Sequence, residues 1–192
     1  DGTSVYAANF GDGTVSMYSR NTGTGALTAL ATPTIATGSS PNGIAVSADG
    51  LSVYVANFAD NTVSMYSRNT GTGAVTALAT PTIATGSCAY AIAISADGIS
   101  VYVASYTAST VSMYGRNTGT GALTALATPT IATGSGPVGL AISSDGVSVY
   151  VANNTDNTVS MYSRNTGTGA LTALATPTIA TGSSPYAVAI SA

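Results

Sequence analysis

Side chains that could perform acid–base or nucleophilic chemistry are scarce in this sequence. Its 192 residues include no histidine, glutamate or lysine, and all seven acidic residues are aspartates. The single cysteine, Cys88, has no partner for a disulfide within the chain. These residues provide neither a metal cluster of recognised spacing nor a serine–histidine or cysteine–histidine pair. The composition therefore predicts no catalytic residue, no metal site, no cofactor and no enzymatic activity.

The aspartates and arginines recur at regular positions. Asp49, Asp97 and Asp145 each precede a glycine, which is typical of a residue that caps a tight turn. We expect the arginines to form ion pairs or to cover apolar surface with their stems. Four basic residues and a net charge of −3 exclude the basic footprint of a nucleic-acid-binding protein. The arginines are Arg20, Arg68, Arg116 and Arg164.

This regularity reflects an internal repeat of 48 residues. The segment Thr14–Ser39, TVSMYSRNTGTGALTALATPTIATGS, returns from Thr62, Thr110 and Thr158 with only two substitutions. A unit of this size cannot bury its apolar face alone, so neighbouring units must stack. We therefore expect one domain, residues 1–192, built from four repeats: 1–48, 49–96, 97–144 and 145–192.

The pattern within one unit predicts strands and no helix. Apolar and polar residues alternate with a period of two, and glycine-rich turns separate the segments. Pro81, near the end of the last segment, is typical of an edge strand, because proline cannot donate a hydrogen bond to a ladder. The pattern predicts an all-β fold, a β-propeller of four-stranded antiparallel blades, with a β-solenoid as the competing alternative. From the innermost outwards, the expected strands are Asn42–Ser47, Ser52–Asn57, Thr62–Arg68 and Ala74–Ala79.

The motifs in these strands resemble a known repeat. Pro41–Asn57, PNGIAVSADGLSVYVAN, and then Asn61–Ser64, NTVS, are similar to the YVTN-type propeller repeat, and the match recurs in all four units. The sequence departs from that pattern at Ala7, Ser105 and Cys88–Ala91. The family includes bacterial and archaeal cell-surface proteins and sugar-lactone hydrolases. Those hydrolases depend on ionisable residues that converge at the central channel, and no matching set is recognisable in this sequence.

The two ends of the chain complement each other. The sequence starts without methionine, as expected for a processed product or a piece of a longer protein, and its first unit lacks an inner strand. The last unit is followed by an extra inner strand, Tyr186–Ser191, which we expect to pair with Ser4–Asn9 and close the propeller. Pairing would satisfy backbone groups that an open edge leaves exposed. Closure within one chain, a two-chain eight-bladed ring and an open filament are three alternatives, with the two-chain ring slightly favoured.

The four units differ mainly in two short connections, at Phe10–Gly13, at Ser40–Gly43 and at their equivalents. A propeller places both connections at the same end of its blades. Binding residues usually lie on such loops, so this end is predicted to contact a ligand or partner; simple drift between copies is the alternative. The candidate residues are Phe10, Asp12, Asn42, Phe58, Asp60, Tyr90, Tyr106, Asn154, Asp156 and Tyr186.

Together these features favour a non-catalytic structural or scaffold propeller that self-associates by strand exchange. The alternative is a module that binds a small ligand or carbohydrate through aromatic and amide side chains, and a lactone hydrolase ranks third. The low content of charged residues, 6%, favours an extracellular or cell-surface location. The expected partners are further copies of the chain, with a glycan or protein ligand as an alternative, and neither nucleic acid nor a membrane span is expected.

Overall fold

The computed structural model describes residues 1–191, and these residues form an all-β structure. They contain no helix that could cross a membrane. Ala192, the last residue of the predicted fourth repeat, lies outside the described part of the chain. The strands are β1 (Ser4–Asn9), β2 (Thr14–Arg20), β3 (Leu27–Ala36), β4 (Pro41–Val46), β5 (Ser52–Asn57), β6 (Thr62–Arg68), β7 (Val75–Ala84), β8 (Ala89–Ile94), β9 (Ser100–Ser105), β10 (Thr110–Arg116), β11 (Leu123–Ala132), β12 (Pro137–Ile142), β13 (Ser148–Asn153), β14 (Thr158–Arg164) and β15 (Leu171–Ala180).

Within residues 1–191 the strands form four antiparallel sheets, one for each blade. Blade 2 has the order β4-β5-β6-β7, blade 3 the order β8-β9-β10-β11 and blade 4 the order β12-β13-β14-β15. Blade 1 comprises β1-β2-β3 in the described part of the chain. The inner strands β4, β8 and β12 lie side by side, so the blades follow one another around a common axis. The predicted all-β propeller with four blades is confirmed.

Local sequence signals placed most strand boundaries correctly, but the outermost strand is longer than expected. β5 and β6 match the prediction, and β4 is displaced by one residue. β7 continues past Pro81 to Ala84, because its pairing with β6 is interrupted by a bulge between Ser64 and Tyr66. Pro81 lies among the extra residues of that bulge, on an edge strand, where no ladder hydrogen bond is required of it.

The expected pairing of Tyr186–Ser191 with Ser4–Asn9 is not formed within residues 1–191. β1 is the edge of its sheet, and the C-terminal segment carries no strand pairing. A Cβ atom at Gly139 of β12 would lie 2.9 Å from the Tyr186 carbonyl oxygen, so this segment runs beside β12. The inner strands contact one another in the series β1, β4, β8 and β12. The C-terminal segment extends this series beyond β12, so it lies three inner strands away from β1.

The hydrophobic core lies between the blades. At the junction of blades 2 and 3, Tyr54 and Met65 pack against Val101, Val103 and Tyr114, and all five side chains are at most 2% exposed. Equivalent clusters join blades 1 and 2 and blades 3 and 4. Burial of one such side chain contributes about 1.5–3 kcal/mol. Each blade is therefore stabilised mainly by its neighbours.

Close approach of the inner strands requires a glycine at position 43. A Cβ atom there would lie 2.8 Å from the Tyr90 carbonyl oxygen and 3.0 Å from the Ile92 nitrogen. Both are backbone atoms of β8, so they cannot rotate away. We expect Gly43→Ala to lower the free energy of unfolding by about 1–3 kcal/mol, the usual cost of overpacking. Urea denaturation measures this value, and Gly11→Ala, with open space around it, is the matched control; equal stabilities of the two variants would contradict the packing described.

Arginine–aspartate pairs cross the three junctions within residues 1–191; the sequence indicated ion pairs or covered apolar surface, but not their position between blades. Arg116 of blade 3 contacts Asp49 of blade 2, with 2.9 Å between Nη1 and Oδ2. Its guanidinium also donates to the Tyr54 hydroxyl at 3.0 Å, the Ser52 hydroxyl at 2.9 Å and the Gly98 carbonyl at 3.1 Å. Its Nη2 also donates to Asp49 Oδ1 at 3.1 Å, so all five N–H donors are used in this buried position. Arg68 with Asp1, and Arg164 with Asp97, repeat the arrangement.

Two side chains with shifted pKa values, Asp49 and Tyr114, make the stability of the fold depend on pH. Burial raises the pKa of Asp49, but hydrogen bonds from Ser47, Leu51 and Arg116 outweigh burial and lower it overall. A lowered pKa stabilises the fold above the unfolded value of about 4, and that contribution is lost as pH falls. Burial raises the pKa of Tyr114 to about 12, so stability is lost as pH rises above the unfolded value of about 10.

Because the chain has no histidine or glutamate, we expect a nearly constant free energy of unfolding between about pH 5 and pH 9. Urea titrations at acidic, neutral and alkaline pH test this expectation. Tyr114→Phe should weaken the alkaline decline and leave the acidic one unchanged. A steep change in stability near neutral pH would contradict this account.

Candidate functional site

Five aromatic side chains form a continuous row at one end of the molecule. Ring centroids are 6.4 Å apart for Phe10 and Phe58, and 6.1 Å apart for Phe58 and Tyr90. Tyr90 also lies 6.1 Å from Tyr106 and 6.0 Å from Tyr186. These distances are in the range of favourable aromatic pairs. Three of the rings, Phe10, Phe58 and Tyr106, directly follow the second strand of a blade. Tyr90 is the second residue of the inner strand β8, and Tyr186 is its repeat equivalent, so the repeat itself brings the rings together.

The row borders a cavity of about 230 Å³. We call this cavity the aromatic cleft. The hydroxyl groups of Tyr90 and Tyr186 contact each other. The Asn154 side chain donates to the Pro185 carbonyl oxygen at 3.3 Å, and Tyr186 is 63% exposed, so the cleft is open to solvent. Its lining residues are Phe58, Tyr90, Tyr106, Val138, Asn154 and Tyr186.

Five of the ten residues predicted to form a binding face line this cleft. Phe10 adjoins it through Phe58, but is not part of the lining. Val138 was missed because an apolar side chain in an apolar strand gave no chemical signal. Its position in a segment that varies between repeats, equivalent to Asn42, was the available clue. Binding at this face stays a prediction.

The aspartates of the predicted face do not line the cleft. Asp60 Oδ2 accepts a hydrogen bond from the Ser39 backbone nitrogen at 2.8 Å. Asp156 Oδ2 accepts one from the Ser135 nitrogen at 2.6 Å. Each carboxylate therefore anchors the connection that leads into its own blade. Asp12 is exposed and Asn42 is half-buried, and neither lines the cleft.

The cleft offers neutral hydrogen-bond donors and flat apolar walls. Phenolic hydroxyls and a side-chain amide can donate to an oxygen that develops negative charge, and aromatic faces can stack on a ring.

Arg68, Arg116 and Arg164 are buried at the blade junctions, so no cation from these residues reaches the cleft. Among residues 1–191, no group of three or more histidine, cysteine, aspartate or glutamate side chains is placed to hold a metal ion.

Solved structures with the same fold include several named as lactonases. A candidate 6-phosphogluconolactonase from Bacteroides fragilis superposes with a TM-score of 0.86 at 22% identity, over 97% of this chain and 54% of that one. A candidate 6-phosphogluconolactonase from Bacteroides uniformis has a TM-score of 0.82 at 20% identity, over 97% and 54%. The periplasmic gluconolactonase PpgL from Pseudomonas aeruginosa has a TM-score of 0.83 at 23% identity, over 95% and 52%. At these identities the likeness shows the fold, and the chain spans about half the length of these proteins.

A search of curated proteins found no match. A family model, which compares sequences rather than structures, does match the chain. The expectations of a non-catalytic scaffold and of no enzymatic activity are contradicted by the lactonase family model and by the gluconolactonase-like neighbours. The composition argument was limited to ionisable residues in recognised constellations, and their absence did not exclude membership of this family. Because the family model matches residues 1–189 of the sequence, the chain belongs to the family described as lactonase, 7-bladed beta-propeller.

Proposed function

We propose that this chain is the catalytic part of a lactonase that hydrolyses a neutral sugar lactone in the aromatic cleft. The observation that carries the proposal is the family match over residues 1–189. The gluconolactonases among the structural neighbours support the same reaction class. Since the chain spans about half of those neighbours, further blades could add to the site in a whole protein.

The size and walls of the aromatic cleft suit a single sugar ring. Its volume of about 230 Å³ is below the range of about 300–1,000 Å³ that drug-sized ligands occupy. Phe58 and Tyr106 provide flat faces against which the C–H side of a sugar can pack. The open side leaves room for a water molecule to approach.

Hydrolysis of a lactone requires stabilisation of the tetrahedral intermediate. The oxygen of water attacks the carbonyl carbon, and the bond from that carbon to the ring oxygen breaks. The ring oxygen takes up one proton of the attacking water, which gives the open hydroxy acid. Negative charge develops on the carbonyl oxygen during the attack. The hydroxyls of Tyr90 and Tyr186 and the amide of Asn154 are the donors that we assign to that oxygen.

Charge distribution gives the expected substrate preference. The sequence has no lysine or histidine, and three of its four arginines are held in ion pairs between blades. The fourth, Arg20, donates to the Gly2 carbonyl at 3.0 Å, at the turn before β1. A phosphate group in the cleft would find no cation from these residues, so binding it would leave its charge uncompensated. The expected substrate is therefore an uncharged lactone.

The test compares glucono-1,5-lactone with its 6-phosphate in a pH-stat assay, after subtraction of spontaneous hydrolysis. We expect turnover of both, with a kcat/KM at least about 10-fold higher for the neutral lactone. A preference for the phosphate ester would overturn the substrate assignment. A rate equal to the spontaneous one for both lactones would overturn the proposed activity.

Two finer assignments accompany this proposal. The repeats are of the YVTN type, supported by the motif that recurs four times. The protein works outside the cytoplasm, supported by a periplasmic neighbour and by a chain with few titratable groups. Fractionation of cells that express the native gene tests the location; recovery in the cytoplasmic fraction would contradict it.

A further inference from the structure

The same pocket occurs twice beside the outermost strands, once at the junction of blades 1 and 2 and once at the junction of blades 3 and 4. Its volume is about 330 Å³ at the first junction and about 270 Å³ at the second. Every residue that lines the second pocket is the repeat equivalent of one that lines the first. Neither pocket shares a lining residue with the aromatic cleft.

The bulge in the outermost strand opens this pocket. β7 pairs with β6 at Ser64 and at Tyr66, but residues 78–81 between these pairs have no partner on β6. Ala77 and Pro81, at the two ends of the unpaired stretch, form part of the apolar wall. Blade 3 packs against the other face of blade 2, and the pocket between blades 1 and 2 is open nonetheless. The pocket is therefore a feature of internal junctions.

Between blades 1 and 2, a hydroxyl group of the chain itself completes the polar wall of the pocket. Thr37 Oγ1 donates to Asn57 Oδ1 at 2.8 Å and lies 2.9 Å from Ser64 Oγ. The Asn57 amide nitrogen also donates to Ser64 Oγ, at 2.9 Å. Both Asn57 and Ser64 are buried. One hydroxyl therefore bridges a buried amide oxygen and a buried serine.

Between blades 3 and 4 the same residue types form a second arrangement, in which the bridging hydroxyl is turned away. Thr133 donates to the Gly134 carbonyl oxygen at 2.7 Å instead. Asn153 Oδ1 is buried and has no hydrogen-bond partner within residues 1–191. Ser160 Oγ accepts from the Asn153 amide at 2.8 Å and from the Gly134 nitrogen at 3.1 Å, and its own hydrogen donates to no group of the described chain. Ser160 is 2% exposed and Asn153 is 0% exposed, so an unused donor and an unused acceptor lie side by side at a buried wall, which is costly.

We propose that the pocket between blades 3 and 4 binds a neutral sugar, one hydroxyl of which takes the place that the Thr37 hydroxyl has between blades 1 and 2. This sugar hydroxyl donates to Asn153 Oδ1 and accepts from the Ser160 hydroxyl. An alcohol is both a donor and an acceptor, whereas a carboxylate oxygen cannot donate and an ammonium group cannot accept. The pocket between blades 1 and 2 has the same residues, so it takes the same ligand when Thr37 turns as Thr133 does.

The other walls of the pocket favour a sugar among hydroxyl compounds. No charged residue lines the pocket between blades 3 and 4, so a charged ligand would lose hydration without compensation. Tyr162 and Pro177 present apolar ring surface to the C–H groups of a pyranose, and Thr178 adds a hydroxyl. The volume of about 270 Å³ is just below the range of about 300–1,000 Å³ for drug-sized ligands, as suits one sugar. This inference does not depend on the proposed hydrolysis of lactones.

The junction of blades 2 and 3 provides an internal control. Ser105 stands where the other two junctions have Asn57 and Asn153. Ser105 Oγ has no hydrogen-bond partner among residues 1–191, so the amide that pairs an acceptor with the neighbouring serine, here Ser112, is missing. We expect no sugar to bind at this junction.

The test is an NMR titration of the threonine methyl groups of the whole chain with methyl α-D-glucopyranoside, which is neutral and has no lactone bond. We expect saturable shifts at Thr37 and Thr133, with a Kd of about 1–10 mM, and none at Thr85, their equivalent between blades 2 and 3. Asn153→Ser should abolish the shift at Thr133 alone, and Ser105→Asn should produce one at Thr85. Each variant copies a side chain that another blade carries at the same position, so both should fold.

Three outcomes would overturn the proposal. One is the lack of a saturable shift at Thr133 in about 100 mM sugar, ten times the weakest expected Kd. Another is a Thr133 titration that Asn153→Ser leaves unchanged. The third is a shift at Thr85 of the unmodified protein with the same Kd as that at Thr133. Maltotetraose, as a second probe, distinguishes a free sugar from a glycan chain, because a site for a chain should bind it at least about 10-fold more tightly.

Discussion

Replacement of Arg116 by methionine is expected to lower the free energy of unfolding by about 3 kcal/mol, the lower end of the range for breaking a buried ion pair. The guanidinium is buried and binds Asp49, Tyr54, Ser52 and the Gly98 carbonyl. Its removal leaves the Tyr54 and Ser52 hydroxyls and one carbonyl without this donor. The Asp49 side chain is 35% exposed, so water can hydrate its carboxylate once the arginine is gone. This hydration limits the loss of stability.

Chemical denaturation measures this loss, and Arg116→Lys separates charge from hydrogen-bond geometry. Lysine keeps the positive charge but cannot donate in the fork that reaches Asp49 and Tyr54 together, so an intermediate loss of stability is expected. Asp12→Asn, at an exposed site, should change the free energy of unfolding by less than about 0.5 kcal/mol. A stability of Arg116→Met equal to that of the unmodified protein would show that the junction does not depend on this arginine.

Loss of the donors in the aromatic cleft is the second large effect that we expect. Tyr90→Phe, Tyr186→Phe and Asn154→Ala should each lower kcat for lactone hydrolysis by about 10²-fold, as removal of one oxyanion donor does elsewhere. The phenylalanine variants keep the ring and lose only the hydroxyl, so KM should change little. Initial rates on glucono-1,5-lactone, corrected for spontaneous hydrolysis, measure the effect.

Asn42→Ala is the matched control for these variants. Asn42 occupies the repeat position of Tyr90 and Tyr186, yet it does not line the cleft. Its replacement should leave kcat within about 2-fold of the unmodified value, because it removes no donor from the site. Equal losses in Asn42→Ala and Tyr90→Phe would mean that the cleft is not where the chemistry occurs.

The sequence predicted the blades well because their signals are local. Alternation of apolar and polar residues, with turns such as Asp49-Gly50, defined β5 and β6 to the residue. The bulge around Pro81 was not predictable, since it depends on how β7 pairs with β6. The expected pairing of Tyr186–Ser191 with Ser4–Asn9 is not formed within residues 1–191. The angle between successive blades is set by packing across the junctions, and no strand pattern encodes it.

The residues that line the aromatic cleft were predicted in part, and binding there stays a prediction. Variation between the repeats identified Phe58, Tyr90 and Tyr186, whose rings the structure brings together. Asp60 shares that loop, but its carboxylate turns to the Ser39 backbone, and loop position alone cannot reveal the direction of a side chain. The non-catalytic interpretation was wrong for a related reason. It counted ionisable residue types, whereas the chemistry of a cleft also depends on which neutral donors converge there.

A crystal structure with a non-hydrolysable lactam analogue of glucono-1,5-lactone tests the central claim most directly. We expect the lactam ring between Phe58 and Tyr106, with its carbonyl oxygen within hydrogen-bond distance of the Tyr90 or Tyr186 hydroxyl or of the Asn154 amide. An analogue bound elsewhere on the propeller, or absent from the cleft at a concentration that inhibits turnover, would contradict the claim.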